Sequence, residues 1–344
     1  MMNMPLLTRR NLVSYFALPA VFARAAKAQT SAADGLTTID SDGTAHITRT
    51  IPVPKSLSAE AQAMFASDRE FAPNGWTEES AQLVKKARSL YPVNVEESTI
   101  AGVKVKLVNP QRPAANKRDR VLINLHGGGF TSDSGSLLES IPIASLTGTR
   151  VIAVDYRLAP KFPFPAALDD SVAVYRELLK THLPGKIAVF GTSAGAILSA
   201  ETAVQLKRLG VPLPAALGFF SGYADFARQG DSRSIYSVRG FTGFQYKPSA
   251  AIAPYVADHD PKDPVLSPIY ADLNGFPPTL CMTGTRDMLL SGTTDFHRAL
   301  LRAGVDAQLI VFDAMPHAHW YTIDLPESKE ALEAQAGFLD RHLG

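Results

Sequence analysis

Short apolar runs that alternate with helical stretches constrain this sequence more than any other feature. Most of the runs are apolar throughout, as expected for strands covered on both faces. Strands alternating with helices predict an α/β fold with a mostly parallel sheet, because parallel strands need a long crossover connection. The predicted strands are 121–125, 150–156, 186–190, 215–221, 279–284 and 308–313, and the predicted helices are 166–182, 194–209, 291–303 and 327–342.

Two alternating runs before this region, 93–100 and 103–110, predict a β-hairpin that turns at Ala101 and Gly102. With the six later strands, the hairpin makes an eight-stranded sheet. Helical spacing at 58–70 and 78–91, with Ser58 and Thr77 as N-caps, predicts two helices ahead of it. Residues 29–55 are polar and are predicted to be a loose lead-in, and 227–276 contain no clear strand, which is typical of an inserted functional segment.

The N-terminus resembles an export signal. Arg9 and Arg10 precede a short apolar run at 12–23, and a small-residue site at Ala26 and Ala28 predicts cleavage after Ala28. The paired arginines indicate the twin-arginine route, which implies a periplasmic or secreted protein. A membrane anchor or a frayed terminus is the alternative, although the run is short for a membrane span and no stable insertion of the mature chain is expected.

The charge and the cysteine content of the sequence exclude several classes of partner and cofactor. Removing residues 1–28 would take away four basic residues and no acidic one, so the net charge of the 344-residue chain would fall from +1 to −3. No basic patch remains to indicate nucleic-acid binding. Cys281 is the sole cysteine and cannot form an intrachain disulfide, and no Cys/His cluster indicates a metal. We expect no cofactor; oligomeric state is not predicted.

The stretch "GTSAG" (191–195) carries the strongest functional signal. It matches G-x-S-x-G between a predicted strand and a predicted helix, which is the context of a nucleophile elbow. The flanking glycines leave room for a strained turn, and the helix N-terminus favours developing negative charge at Ser193. The alternative is a serine that only caps the helix.

A nucleophilic serine needs a base and an acid that orients the base, in the chain order Ser, Asp/Glu, His for this kind of fold. Asp287 and His317 follow successive predicted strands and fit that order. Alternatives are His319 for the base and Asp313 for the acid. Asp295 and His297 are further candidates, but both fall inside a predicted helix. The stretch "HGGGF" (126–130) follows a buried strand, where a loop supplies backbone N–H groups to an oxyanion hole.

Five stretches together resemble the bacterial hormone-sensitive lipase family (family IV) of α/β-hydrolase esterases: "HGGGF", "VDYRLAPKFPFPAALDD", "GTSAG", "DPVLSPIYADLNGFPPTL" and "MPHAH". The resemblance runs from about residue 93 to the C-terminus. It implies a triad and an oxyanion hole, and its site residues in this numbering are Ser193, Asp287 and His317 for the triad and Gly128, Gly129 and Ala194 for the hole.

The sequence departs from the family pattern beside these residues. The family usually has Asp before the serine, where this chain has Thr192. Other departures are at Lys161, Ala196, Ile197, Tyr223 and His319. They leave the chemistry intact and affect the substrate. We expect Phe130, Tyr223 and His319 to line the pocket, with packing roles as the alternative.

The family also implies a helical cap. The predicted domains are an export signal at 1–28, a lead-in with cap helices at 29–92, and an α/β-hydrolase domain at 93–344 with a cap or lid insertion at about 227–262. The expected activity is hydrolysis of short- to medium-chain carboxylic esters, with a small-molecule ester as the partner and an acyl-enzyme as the intermediate. A lactonase or an amidase/formamidase in the same site is one alternative, and a non-catalytic small-molecule receptor is the other.

Overall fold

The computed structural model describes residues 37–48, 50–66, 78–228, 230–236 and 253–344. The chain divides into two units, residues 1–52 and residues 53–344. The first unit contains an antiparallel hairpin of β1 (Thr37–Ile39) and β2 (Ala45–Ile47). This stretch was predicted as a loose lead-in, and the hairpin corrects that prediction. The predicted signal at 1–28 and the predicted cap at Thr77 lie outside the described residues.

Residues 53–344 contain an eight-stranded sheet, which confirms the predicted α/β fold. Its strand order is β10-β9-β8-β7-β5-β6-β4-β3. The pairs β3–β4 and β4–β6 are antiparallel, and the remaining neighbours are parallel. The strands are β3 (Val93–Ile100), β4 (Val103–Pro110), β5 (Val121–Leu125), β6 (Arg150–Val154), β7 (Ile187–Thr192), β8 (Ala216–Phe220), β9 (Thr279–Arg286) and β10 (Ala307–Pro316).

Helices cover both faces of this sheet, which explains why its central strands are apolar throughout. Alternate residues of β5 pack into different clusters: Ile123 lies in the cluster with α4, α5 and α8, and Leu122 in the cluster with α2, α3 and α9. The helices are α1 (Ala59–Ala66), α2 (Glu78–Leu90), α3 (Ser136–Thr147), α4 (Ala166–Leu178), α5 (Ala194–Arg208), α6 (Asp231–Tyr236), α7 (Ala253–Val256), α8 (Leu290–Arg302) and α9 (Pro326–His342).

The two N-terminal helices have different neighbours. Ser58 caps α1 as predicted, because its Oγ accepts the Ala61 N–H at 3.0 Å, and its hydroxyl also donates to Glu327 of α9 at 2.8 Å. The α1 helix packs beside Met315, two residues before His317. The α2 helix instead packs with α3 on one face of the sheet. The cap role of residues 58–91 and the lid at 227–262 stay predictions.

Candidate active site

Ser193 lies on a sharp turn between β7 and α5. Its backbone has φ 59° and ψ −120°, a region that costs a non-glycine residue about 1–3 kcal/mol. The turn crosses the end of β5 closely: a Cβ at Gly191 or Gly195 would lie 2.2 or 1.7 Å from the Leu125 carbonyl oxygen. Only glycine fits at either position, so the two flanking glycines of the predicted elbow have a steric cause.

Asp287 and His317 meet beyond the carboxyl ends of β9 and β10. His317 Nδ1 lies 2.9 Å from Asp287 Oδ1, and Asp287 is fully buried. An ionised carboxylate can only accept hydrogen bonds, so Nδ1 carries the proton and Nε2 is the nitrogen that can take a proton from a substrate or nucleophile. This is the geometry of a base oriented by an acid.

Asp287 is held by several donors. Its Oδ1 also accepts the Leu289 N–H at 2.8 Å, and its Oδ2 accepts the Thr283 hydroxyl at 2.8 Å. Burial alone would raise the pKa of this carboxyl, but the charge and hydrogen bond of His317, with smaller contributions from Ser221 and Leu289, lower it below its ordinary value. Asp287 is therefore ionised near neutral pH and stabilises a charged His317.

Ser221 connects the elbow to this pair, and the sequence did not predict it as a site residue. The Ser193 N–H donates to the carbonyl of Phe220 at 2.9 Å, so the elbow is fixed to the end of β8. The next residue, Ser221, lies buried with φ 50°, and its hydroxyl contacts Asp287 and accepts the Ala318 N–H at 3.5 Å. Its position directly after a buried strand was the one available signal, and many serines share it.

The other residues considered as the catalytic acid or base contact different groups. The Asp313 carboxylate accepts from the Thr285 hydroxyl at 3.4 Å, and Asp295 pairs with Arg298 at 3.2 Å. His297 Nε2 lies 3.3 Å from the Ala307 carbonyl oxygen. His319 is buried against Phe312 and Trp320, whereas the hydrogen bond to Asp287 is made by His317. Burial lowers the pKa of His319 to about 4, so its ring is neutral at pH 7.

Residues 126–132, which follow β5, form a loop that we call the oxyanion loop after its predicted role. Gly128 and Gly129 have φ of 118° and 60°, and the Thr131 and Ser132 N–H groups close the turn onto the Gly128 carbonyl at 3.0 and 3.2 Å. Ala194 is the first residue of α5, so its N–H has no acceptor within the helix. These are the conditions for backbone donors that can bind a negatively charged oxygen.

His126 fixes the start of the oxyanion loop. It is fully buried, its Nδ1 lies 2.8 Å from the Gly127 carbonyl oxygen, and its ring stacks on Tyr156 at 4.1 Å. The Tyr156 hydroxyl donates to the His126 carbonyl at 2.6 Å. These contacts agree with a role in shaping the loop.

The three predicted pocket residues do not share one environment. Phe130 is buried and stacks on Tyr255 with ring centres 3.5 Å apart. Tyr223 lines a cavity of about 370 Å³ together with Met288 and Leu289, next to Asp287 in the chain. Phe130 and Tyr223 belong to the cluster with α4, α5 and α8, whereas His319 contacts Trp320 in the other. The role of these three residues as pocket lining stays a prediction.

Two kinds of feature are missing from the described residues, a metal-binding cluster and a membrane-spanning helix. No group of three His, Cys, Asp or Glu residues there is arranged to hold a metal ion. None of the described helices combines the length and the apolar composition needed to cross a membrane.

Comparison with known proteins agrees with this architecture. A family model described as the alpha/beta hydrolase fold matches residues 122–321. An acetyl-hydrolase of Streptomyces hygroscopicus is 35% identical over 232 residues, which are 66% of this chain and 77% of that protein. The crystal structure of esterase E25 has a TM-score of 0.76 at 34% identity, covering 86% of this chain and 98% of that one. An esterase from the bacterial hormone-sensitive lipase family has a TM-score of 0.69 at 31% identity, covering 78% and 99%. The chain therefore belongs to the α/β-hydrolase fold and, within it, to the bacterial hormone-sensitive lipase family of esterases.

Proposed function

We propose that this esterase hydrolyses short- to medium-chain carboxylic esters through a triad of Ser193, His317 and Asp287. The observation that carries the proposal is the 2.9 Å contact between the buried Asp287 carboxylate and His317 Nδ1. It orients the imidazole so that Nε2 is the basic nitrogen, and the contacts of Phe220 and Ser221 join this pair to the elbow that presents Ser193.

Acylation is the first half of the proposed reaction. His317 Nε2 takes the Ser193 proton as Oγ bonds to the ester carbonyl carbon, and the carbonyl oxygen becomes an oxyanion. The N–H groups of Gly128, Gly129 and Ala194 stabilise that charge. The bond to the alkoxy oxygen then breaks, the alcohol leaves with the proton from His317, and the acyl group remains on Ser193.

Deacylation repeats these steps with water. His317 takes a proton from a water molecule, whose oxygen bonds to the acyl carbon and forms a second oxyanion. The bond to Ser193 Oγ breaks, the serine regains its proton from His317, and the acid leaves. Asp287 remains ionised throughout and stabilises the charged imidazole in both halves.

The names of similar proteins support an ester substrate with a small acyl group. One is an acetyl-hydrolase and two of the similar structures are esterases. We therefore propose acetyl and butyryl esters as the first substrates to measure. Lactones, amides and formamides are alternatives that the same nucleophile could attack.

A fluorophosphonate probe tests the nucleophile, because the serine oxygen displaces fluoride from its phosphorus atom. We expect a single adduct on Ser193, with turnover of p-nitrophenyl acetate lost in Ser193→Ala. Ser171→Ala is the control, since it also removes a serine hydroxyl, but one that is buried and bonds to Thr202 between α4 and α5. No adduct and no turnover of esters, lactones or amides would refute the enzymatic proposal and favour a receptor.

We also propose export by the twin-arginine route. Mass spectrometry of the native protein should find an N-terminus at Gln29, and replacing Arg9 and Arg10 together with lysine should retain the precursor in the cytoplasm. A mature protein that begins at Met1 would refute the proposal.

A further inference from the structure

A buried carboxyl group lies behind the active-site loops and takes no part in the proposed proton transfers. Glu139 is on α3 and is only 3% exposed. Its Oε2 accepts the side-chain N–H of Asn124 at 2.8 Å, and its Oε1 accepts the hydroxyl of Tyr321. Removing a carboxyl group from water is costly unless hydrogen bonds compensate it, so each of these contacts contributes to the stability of the folded state.

The partners of Glu139 lead into the oxyanion loop and into the segment that follows the catalytic histidine. Asn124 is on β5, two residues before His126. Tyr321 follows His317 by four residues, in what we call the histidine loop, residues 317–325. One carboxyl group therefore joins the strand before the oxyanion donors to the loop that carries the base.

The third catalytic segment contacts the same group. The Trp320 indole N–H donates to the Thr192 hydroxyl at 3.1 Å, and Thr192 directly precedes Ser193. Burial raises the pKa of Glu139 to about 8, and the Thr192 hydroxyl and the Gly127 N–H lie near enough to the carboxyl group to offset part of that rise. Nucleophile elbow, oxyanion loop and histidine loop thus converge on one side chain of α3.

The Tyr321 ring also fills the space between these segments. A Cβ at Gly135 would lie 2.5 Å from Tyr321 Cζ, and one at Gly127 would lie 3.3 Å from its hydroxyl oxygen. The ring therefore sets the distance between the histidine loop and the oxyanion loop, and the hydrogen bond to Glu139 sets where the ring lies.

We propose that Glu139 is a positioning residue for ester hydrolysis: through Asn124 and Tyr321 it holds the oxyanion loop and the histidine loop in register with the elbow at Ser193. The inference rests on the proposed function. It requires no proton transfer by Glu139, because all of its contacts are to side chains and backbone behind the reacting groups. Glu139 therefore affects the rate of the chemical step, because stabilising the transition state requires the N–H donors and the base to be in position at the same time.

The hydroxyl of Tyr321 gives the mildest test. Tyr321→Phe removes one buried hydroxyl and leaves the ring in place, so we expect kcat to fall about 10-fold with little change in KM. Tyr175→Phe is the matched control: it also removes a buried hydroxyl, which donates to the Pro212 carbonyl at 2.9 Å, away from the three loops. It should lower the melting temperature and leave kcat unchanged.

Two substitutions at Glu139 sharpen the test. Glu139→Ala removes both acceptors, and we expect kcat to fall about 100-fold. Glu139→Gln should recover most of that loss, because the Asn124 amide can turn and present its Oδ1, which has no partner among the described residues. Binding of an aryl trifluoromethyl ketone, which adds reversibly to a serine as an oxyanion, should weaken in parallel with kcat.

All rates are expressed per active site, counted with the fluorophosphonate probe. If Tyr321→Phe and Glu139→Ala keep wild-type kcat and ketone affinity per site while melting at a lower temperature, Glu139 is only part of the fold and the inference is wrong. If Glu139→Ala does not fold, Tyr321→Phe against Tyr175→Phe decides. A wild-type protein that forms no adduct and turns over no ester instead contradicts the proposed function.

Discussion

Adding a single methyl group to the oxyanion loop should separate catalysis from folding. In Gly128→Ala the new Cβ would lie 2.0 Å from the carbonyl oxygen of Ser132, and real Cβ atoms essentially never come closer than 3.0 Å to another atom. The turn cannot widen without losing the bonds of Thr131 and Ser132 to the Gly128 carbonyl. Residue 128 itself must therefore move.

The size of that movement gives the expected loss. Relieving the contact requires about 1 Å, and a displacement of that size in a catalytic group costs about 100-fold in rate. If the N–H no longer reaches the oxyanion, the loss rises to about 100- to 1,000-fold, or roughly 3–4 kcal/mol of transition-state stabilisation. The backbone at φ 118° adds a folding cost of about 1–3 kcal/mol.

Gly102→Ala provides the control for backbone strain. Gly102 has φ 82° in the β3–β4 turn, and a Cβ there would meet no atom within 4 Å. It should lower the free energy of unfolding by about 1–3 kcal/mol without affecting kcat. Turnover of p-nitrophenyl acetate per fluorophosphonate-titrated site and urea unfolding measure the two effects. Wild-type turnover in Gly128→Ala would show that the oxyanion site lies elsewhere.

Three further predictions concern buried carboxyl groups. Asp287→Asn should lower kcat about 10,000-fold, because an amide no longer selects the His317 tautomer with a proton on Nδ1, and a loss under 10-fold would contradict the triad. Tyr255→Phe removes the hydroxyl that donates to Glu201 at 2.6 Å, so urea unfolding should show a loss of about 1–3 kcal/mol, with unchanged turnover; equal stability would contradict the assigned bond. Burial raises the pKa of Glu139 to about 8, above its unfolded value of 4.5. Between these two pH values the folded state keeps a proton that the unfolded state has lost. The free energy of unfolding should therefore fall as pH rises from 4.5 to 8, by up to about 5 kcal/mol. Glu139→Gln should remove this pH dependence, and an unchanged slope in urea unfolding would contradict it.

The sheet was predictable because its strands obey simple patterns. The alternation at 93–100 and 103–110 gave the bounds of β3 and β4, and the apolar run at 121–125 gave those of β5. The elbow was predictable because its two glycines and serine stand in fixed positions between a strand and a helix. Asp287 and His317 were predictable from their places after successive strands, and the structure brings them within 2.9 Å; their catalytic roles stay a prediction.

Other parts carried weaker signals. No helix was predicted at α3, whose sequence begins among Ser and Gly residues and contains Pro142. Its start depends on Asp133, whose Oδ1 accepts the Ser136 N–H at 2.9 Å. Residues such as Ser221 and Glu139 were not predicted as functional, because their roles depend on contacts between segments far apart in the chain, which no local pattern encodes.

The contact between Thr192 and the histidine loop bears on how such a site can evolve. This chain has Thr192 where the family usually has an aspartate, and the Thr192 hydroxyl lies beside both Trp320 and the Glu139 carboxyl. An aspartate at 192 would place a second carboxyl group against the buried Glu139, and an ionised neighbour would raise the pKa of Glu139 further. We therefore expect residues 192 and 139 to be coupled in free energy, so that the loss of stability caused by Thr192→Asp should be smaller in Glu139→Gln than in the wild type.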